Sequence, residues 1–273
     1  MTAAGAGFDG EELASLATRL ANDAGRLLTE GLGRDRRAVS HKSSPTDMVS
    51  EMDRASERVV VDGLRIARPD DAILAEEGGL VAGTSGLTWV VDPLDGTTNY
   101  LYGLGPFAVS IAACLPERTL VGVVHDPLHG ETFRAVAGKG AWLGDRRLRC
   151  GPAPPLGSAL VGTGFSYLPR RRGAQARVLS HLLPAVRDIR RAGAAAVDLC
   201  WVAAGRLDAF YEAGLQPWDV AAGRLVAEEA GAWCGLLEGP PGSVPTMVAA
   251  RRDLATSLLD LLRASGADRV PEG

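Results

Sequence analysis

Apolar residues recur every three to four positions between Glu11 and Gly31, with Leu13, Leu16, Leu20, Leu27 and Leu28 on one face. That period predicts an amphipathic helix, and Gly31 and Gly33 mark its end. A polar stretch runs from Arg34 to Thr46, and a second helix is predicted from near Asp47, after Pro45, to about Ala67. The pattern then shortens. Ile73–Ala75 ends in Glu76-Glu77, and Thr88–Val91 ends in Asp92, so both read as strands whose ends present acids. Phe107–Leu115, Leu120–Val124 and Glu131–Val136 are separated by turn residues and predict an antiparallel meander. Gly151–Gly157 holds three prolines and two glycines and reads as the boundary between two halves of one domain, about 9–150 and about 157–265. Beyond it strands and helices alternate. Ala159–Gly162, Asp188–Arg190, Leu207–Tyr211 and Thr246–Ala250 read as strands; Gly173–Val186, Ala194–Ala204, Pro217–Gly231 and Arg252–Leu262 read as helices. The whole is a layered α and β pattern without a fixed internal repeat.

Composition narrows the function classes. The 273 residues are 46% hydrophobic and 23% charged, an ordinary globular balance. The formal net charge of -4 argues against a dedicated nucleic-acid binder. One dense basic run, Arg170-Arg171-Arg172, lies between Pro169 and Gly173 and reads as a solvated loop. Cys114, Cys150, Cys200 and Cys234 are scattered, with no CxxC pair, so reduced thiols are expected rather than a disulfide framework or a zinc site. Met1–Gly10 has no secretory pattern, and no run approaches the ~18 apolar residues of a membrane span. The expected location is the cytoplasm.

The chemistry concentrates in Asp92-Pro93-Leu94-Asp95-Gly96-Thr97-Thr98-Asn99. An apolar strand delivers Asp92, Pro93 is expected to stop regular pairing, and the turn brings Asp95 near Asp92. Two such carboxylates repel one another unless a cation lies between them, and hard oxygen donors favour Mg²⁺. Gly96 permits close backbone approach, while Thr97 and Thr98 offer hydroxyls and amides suited to a phosphate. The run also resembles the Asp-x-Asp-Gly-Thr signature of haloacid-dehalogenase-type phosphatases, but two residues separate Asp92 from Asp95, which disfavours an aspartyl nucleophile. Glu76, Glu77, Asp47, Asp53 and Glu212 supply further acids. Asp219 opens an Ala-rich helix, where a cap and a functional role are both open.

Taken together, Glu76-Glu77, Asp92 to Asn99 and Trp218-Asp219-Val220-Ala221-Ala222-Gly223 resemble the three signatures of the inositol monophosphatase family, in order and spacing. Lys42–Asp47 with Asp53, and Arg191 to Leu199, are similar to further family segments, so the resemblance spans about residues 11 to 262. It implies an α+β layered αβαβα sandwich and a bacterial-type, Mg²⁺-dependent, lithium-sensitive phosphatase with two or three ions and no phosphoenzyme. Position by position it implies Glu76, Asp92, the Leu94 carbonyl, Asp95 and Asp219 as metal ligands. It implies Thr97 with Asp53 for orienting or deprotonating the attacking water, and the backbone of Gly96 and Thr97, with Thr98 beside it, for phosphate. Ala195 and Glu212 would line the polyol pocket.

The implied activity is hydrolysis of myo-inositol 1-phosphate by metal-activated water. Histidinol phosphate, fructose 1,6-bisphosphate and 3′-phosphoadenosine 5′-phosphate are alternatives, as is a regulatory binding role. A homodimer is expected, with a small phosphate ester as partner and neither membrane nor nucleic acid. None of His41, His125, His129 and His181 matches a functional position. Gly162-Thr163-Gly164-Phe165-Ser166-Tyr167 is similar to the bacterial form of the pocket; for Arg190-Arg191 a salt-bridge role and a phosphate-facing role stay open.

Overall fold

The computed structural model describes residues 7–32, 39–41 and 48–272. Helix α1 (Gly10–Gly31) is capped by Asp9, whose Oδ1 accepts the Glu11 N–H at 2.9 Å. Its leucine stripe buries Leu13, Leu16, Leu20 and Leu28, with Ala14, Ala17, Ala21 and Ala24 between them, so the helix lies close on its neighbours. A hairpin of β1 (Val39–His41) and β2 (Met48–Ser50) follows. The predicted start of the second helix is corrected here: Met48–Ser50 is extended and paired with β1, and α2 spans Glu51–Ala67. Lys42 to Asp47, and with them the acid at Asp47, lie outside the described residues.

The first half is organised by one sheet. Strands β3 (Ala72–Ala75), β4 (Gly79–Val81) and β5 (Thr88–Asp95) lead into a short helix α3 (Thr97–Tyr102). Then come β6 (Ala108–Leu115), β7 (Arg118–Asp126), β8 (Glu131–Val136), β9 (Gly140–Leu143) and β10 (Arg146–Arg147). Together they form an eight-stranded sheet in the order β10-β9-β8-β7-β6-β5-β3-β4. Only β3 and β5 run parallel within it; the expected meander is β6-β7-β8.

The second half carries β11 (Leu160–Thr163), α4 (Pro169–Leu182), β12 (Asp188–Arg190), α5 (Ala195–Ala203), β13 (Ala209–Ala213) and α6 (Pro217–Glu229). It ends with β14 (Trp233–Leu237), β15 (Thr246–Ala250) and α7 (Arg252–Ala264). The five strands order as β12-β11-β13-β15-β14. Helix α4 begins at Pro169, so Arg170, Arg171 and Arg172 form its first turn instead of the loop read from the sequence. Proline fits there because the first helical N–H has no partner to lose.

The period of two along each strand sorts side chains between layers. On β5, Trp89 and Val91 join the cluster of α1 and α2 residues that includes Leu20 and Leu64. Val90, between them, joins the opposite cluster with Leu199 of α5 and Leu225 and Val226 of α6. That same cluster takes Phe210 and Met247 from the second sheet, so α5 and α6 are sandwiched between both sheets. Tyr211 and Val248 face the other way, onto Val178 and Leu182 of α4 and Leu254 and Leu258 of α7. The result is the layered αβαβα sandwich. All four cysteines are free, and among the described residues no helix is long and apolar enough to cross a membrane.

Candidate active site

The alternation that packs β5 also aims its acids. Asp92 follows Val91 and emerges on the face of Val90, toward α6; Glu76 follows β3 in the same sense after Leu74 and Ala75. Regular pairing breaks at Pro93, as expected, but the strand does not end at Asp92. β5 continues to Asp95, and its pairing with β6 shifts register between Asp92 and Asp95. A bulge is where a strand can absorb a residue without an N–H. Ser56 Oγ donates to the Pro93 carbonyl at 2.6 Å, and Asp92 Oδ1 accepts the Leu94 N–H at 3.0 Å, so the bulge is held from both sides.

Beyond it, Asp95 reaches across to the second half of the chain. Its two oxygens accept the N–H groups of Ala195 (3.2 Å) and Ala196 (2.8 Å) at the start of α5. Gly96 then turns the chain into α3 with φ 89°; a side chain there would also press on the carbonyls of Pro106 and Gly193. Asn99 Nδ2 donates to the carbonyls of Pro106 (2.7 Å) and Ala192 (2.8 Å), stapling this turn to the 191–194 loop. Thr97 Oγ1 lies 2.9 Å from Asp53 Oδ1 and 3.1 Å from the Leu94 carbonyl, so its proton has two acceptors.

These segments surround a cavity of about 380 Å³. Of the residues singled out from the sequence, Glu76, Asp95, Gly96, Ala195, Glu212 and Asp219 line it. Asp92, Leu94 and Asp53 are buried beside it. Thr98 is drawn aside: its hydroxyl sits 3.5 Å from that of Tyr167, which itself lines the cavity. The Gly164–Tyr167 segment forms one wall. Arg171, Leu215 and Gln216 line it too and were not anticipated. The signal for Arg171 was Pro169 read as a first helical residue, which turns the basic run into a helix face. Asp219 both helps cap the helix and lines the cavity. Gln216 is the N-cap of α6, and Asp219, three positions on, accepts the Gln216 N–H at 2.6 Å to complete a capping box while its side chain lines the cavity.

The electrostatics are those of crowded acids. Burial pushes Asp92 well above the usual carboxylate range, and Glu76, Asp95 and Asp219 push it further, against the Leu94 N–H. Burial likewise raises Asp95 to about 7, opposed by the Ala196 and Ala195 amides. Asp219 is raised well above its ordinary value by burial, with Asp95 and Glu76 adding to it. Such a set lacks positive charge at its centre, and its donors are hard oxygens, which is the chemistry that accepts Mg²⁺. Among the described residues no three of these groups are drawn into a closed cluster.

At the far wall, burial raises Glu212 to about 8, with Arg191 opposing and Asp95 adding. A side chain on Gly164 would fall inside the Glu212 carboxylate, so the two are in face contact. Behind it Asp198 is buried and raised well above its normal range, first by burial and then by Glu212 and Asp95. The pair Arg190-Arg191 divides: Arg190 bonds Asp188, whereas Arg191 lines the cavity. Among the described residues no histidine lines the cavity. His125 is buried against Gly25 and bonds Thr132 at 2.9 Å, and His129 pairs with Asp126 at 2.7 Å.

Residues 9–266 match the inositol monophosphatase family. The chain is 47% identical over 247 residues to an inositol-1-monophosphatase SuhB of Mycobacterium tuberculosis, covering 86% of this chain and 85% of that protein. It is 42% identical over 219 residues to the Nus factor SuhB of Pasteurella multocida, covering 80% and 82%. The crystal structure of the extragenic suppressor protein SuhB from Bartonella henselae superposes with a TM-score of 0.85 at 36% identity, over 92% of this chain and 98% of that one. With its signatures gathered on one cavity between two sheets, the chain belongs to the inositol monophosphatase family.

Proposed function

We propose that this protein is a Mg²⁺-dependent phosphomonoesterase that releases phosphate from myo-inositol 1-phosphate or a closely similar polyol phosphate. One observation carries the reading: acids from both halves of the chain line or flank a single cavity, beside the Asp53–Thr97 pair. Glu76, Asp92, the Leu94 carbonyl, Asp95 and Asp219 are the groups that would hold two or three Mg²⁺ ions. When bound, those ions lower the pKa of water and offset the charge of the phosphoryl group. Thr97 Oγ1 donates to Asp53 Oδ1 and accepts from a water, which orients that water's lone pair and gives its proton a path to Asp53. The N–H groups of Gly96 and Thr97, at the start of α3, face the phosphate, and Thr98 bounds that end of the site. Glu212 accepts hydroxyl protons of the leaving polyol, with Ala195 beneath the ring. Much of the help in phosphoryl transfer is positioned charge, so a site built of acids and cations needs no histidine.

The test is phosphate release with and without Mg²⁺, run side by side on myo-inositol 1-phosphate, histidinol phosphate, fructose 1,6-bisphosphate and 3′-phosphoadenosine 5′-phosphate. Magnesium-dependent turnover led by the inositol ester supports the reading, and turnover led by another ester reassigns the substrate. No turnover on any of them overturns it in favour of a second reading, a binding role in a transcription complex, which the likeness to a Nus factor supports. The proposal includes a cytoplasmic homodimer. A light-scattering mass of 28.5 kDa at every concentration would remove the dimer.

A further inference from the structure

A second, smaller cavity lies behind the pocket wall, bounded by Thr163, Gln175, Val178, Tyr211, Thr246 and Val270. Its room for water centres is about 10 Å³, close to what one water molecule needs. Three of the polar side-chain atoms around it are buried and have no hydrogen-bond partner within the protein: Thr163 Oγ1, Gln175 Nε2 and the Tyr211 hydroxyl. Their residues are 1%, 6% and 5% exposed. Thr163 and Tyr211 are register partners on the parallel strands β11 and β13, so they face the cavity at one level. Burial raises the Tyr211 hydroxyl pKa and a contact with the Thr163 hydroxyl lowers it, but that contact falls short of full hydrogen-bond geometry. Thr246, by contrast, is satisfied by the Ala267 carbonyl at 2.7 Å.

We infer that this cavity is a binding site for one structural water, held by Thr163, Gln175 and Tyr211, and that the water positions the polyol wall of the active site. Three hydrogen bonds are available to the water. Gln175 Nε2–H and the Tyr211 O–H donate to the water oxygen, and one water O–H donates to Thr163 Oγ1. Buried waters characteristically make about three such bonds. The site also ties together the two strands of chain that build the wall. Gln175 Oε1 accepts the Ser166 N–H at 2.9 Å, fixing the Gly164–Tyr167 segment, and Tyr211 is directly followed by Glu212, which rests on Gly164. A water that fixes Gln175 and Tyr211 together therefore sets the approach of Gly164 to Glu212. The role assigned to the water rests on the proposed polyol phosphatase reading; its presence does not.

Two measurements decide it. A crystal structure at a resolution that shows ordered solvent should place one water within hydrogen-bond distance of all three atoms. An empty cavity, or a direct Thr163–Tyr211 bond, overturns the site. Gln175→Leu and Tyr211→Phe are then assayed on myo-inositol 1-phosphate and on p-nitrophenyl phosphate, which has no polyol to recognise. The expected result is a KM for the inositol ester raised roughly fivefold, the scale of one lost hydrogen bond, with kcat little changed and p-nitrophenyl phosphate unaffected. Equal losses on both substrates, or none on either, overturn the positioning role. If the wild type turns over neither ester, the phosphatase reading fails, and the crystallographic result still decides the water.

Discussion

Gly164 and Glu212 meet face to face, and that contact makes a prediction about a residue with no functional group. Gly164→Ala must displace the Glu212 carboxylate. The expected loss in kcat/KM for the inositol ester is about tenfold, or ~1.4 kcal/mol. Because both changes act on one contact, adding Glu212→Gln to Gly164→Ala should cost little more than either alone, and a double-mutant cycle with fully additive losses would rule the coupling out. Asp71 makes a second, independent prediction, about stability. Its carboxylate is 1% exposed and accepts Arg68 Nε (2.7 Å), Ser85 Oγ (2.6 Å) and Trp89 Nε1 (2.9 Å). Burial raises its pKa, but these bonds outweigh burial and hold it below the ordinary carboxylate value. A depressed folded pKa means stability present above the unfolded value, about 3.9, and lost as pH falls through the lower folded one. Asp71→Asn is therefore expected to cost about 2 kcal/mol at neutral pH by urea unfolding, with the gap to wild type closing below about pH 4. Of these residues, Asp92 and Asp95 were legible as neighbours in sequence. Gly164 and Asp71 were not, because what each touches comes from a distant segment, and pattern alone carries no register between them.

The elements best read from sequence are long and regular: α1 from its leucine period, and β6 to β8 from alternation between turn signals. Errors fell at element boundaries, where either tertiary pairing or a terminal preference moved an end. β5 runs through Pro93 because a register shift and the Ser56 hydroxyl accommodate it, and α4 begins before Gly173 because Pro169 is a good first residue. Strand β14 (Trp233–Leu237) went unread; its Cys234-Gly235 dilutes the apolar run, and only pairing with β15 makes it a strand. Helix α3 is six residues long, too short for any period to show. Its position depends on Asn99, which bridges two loops from different halves of the chain. Asn99→Ala leaves the buried Pro106 carbonyl and the half-buried Ala192 carbonyl without that donor, so α3 and the 191–194 loop should loosen together. Faster hydrogen exchange at both segments, with kcat/KM lowered at least tenfold, is the expected outcome; exchange confined to α3 would mean the staple does not couple them.

At the scale of the whole molecule, the two halves bring like charges together across their junction. Glu76, Asp92 and Asp95 come from the first sheet and Asp219 from α6, and burial with mutual repulsion raises Asp92 and Asp219 well above their ordinary range. Uncompensated, that cluster works against folding, and a cation that binds the folded chain alone works for it. Mass action gives about 2.7 kcal/mol of stabilisation at a hundredfold excess over Kd. For a chain of this size that corresponds to a rise of roughly 5–10 °C in the thermal midpoint. Mg²⁺ should therefore raise the midpoint and a chelator should reverse it, whatever the substrate. Asp92→Asn separates repulsion from ligation. It removes a carboxylate that burial and its neighbours disfavour, so the variant without Mg²⁺ should melt no lower than wild type, while its response to Mg²⁺ shrinks. If wild type and Asp92→Asn respond equally to Mg²⁺, Asp92 is not a ligand. If neither responds at millimolar Mg²⁺, the acids are a buried network held by their backbone amides, and the catalytic assignment built on them falls with the cation.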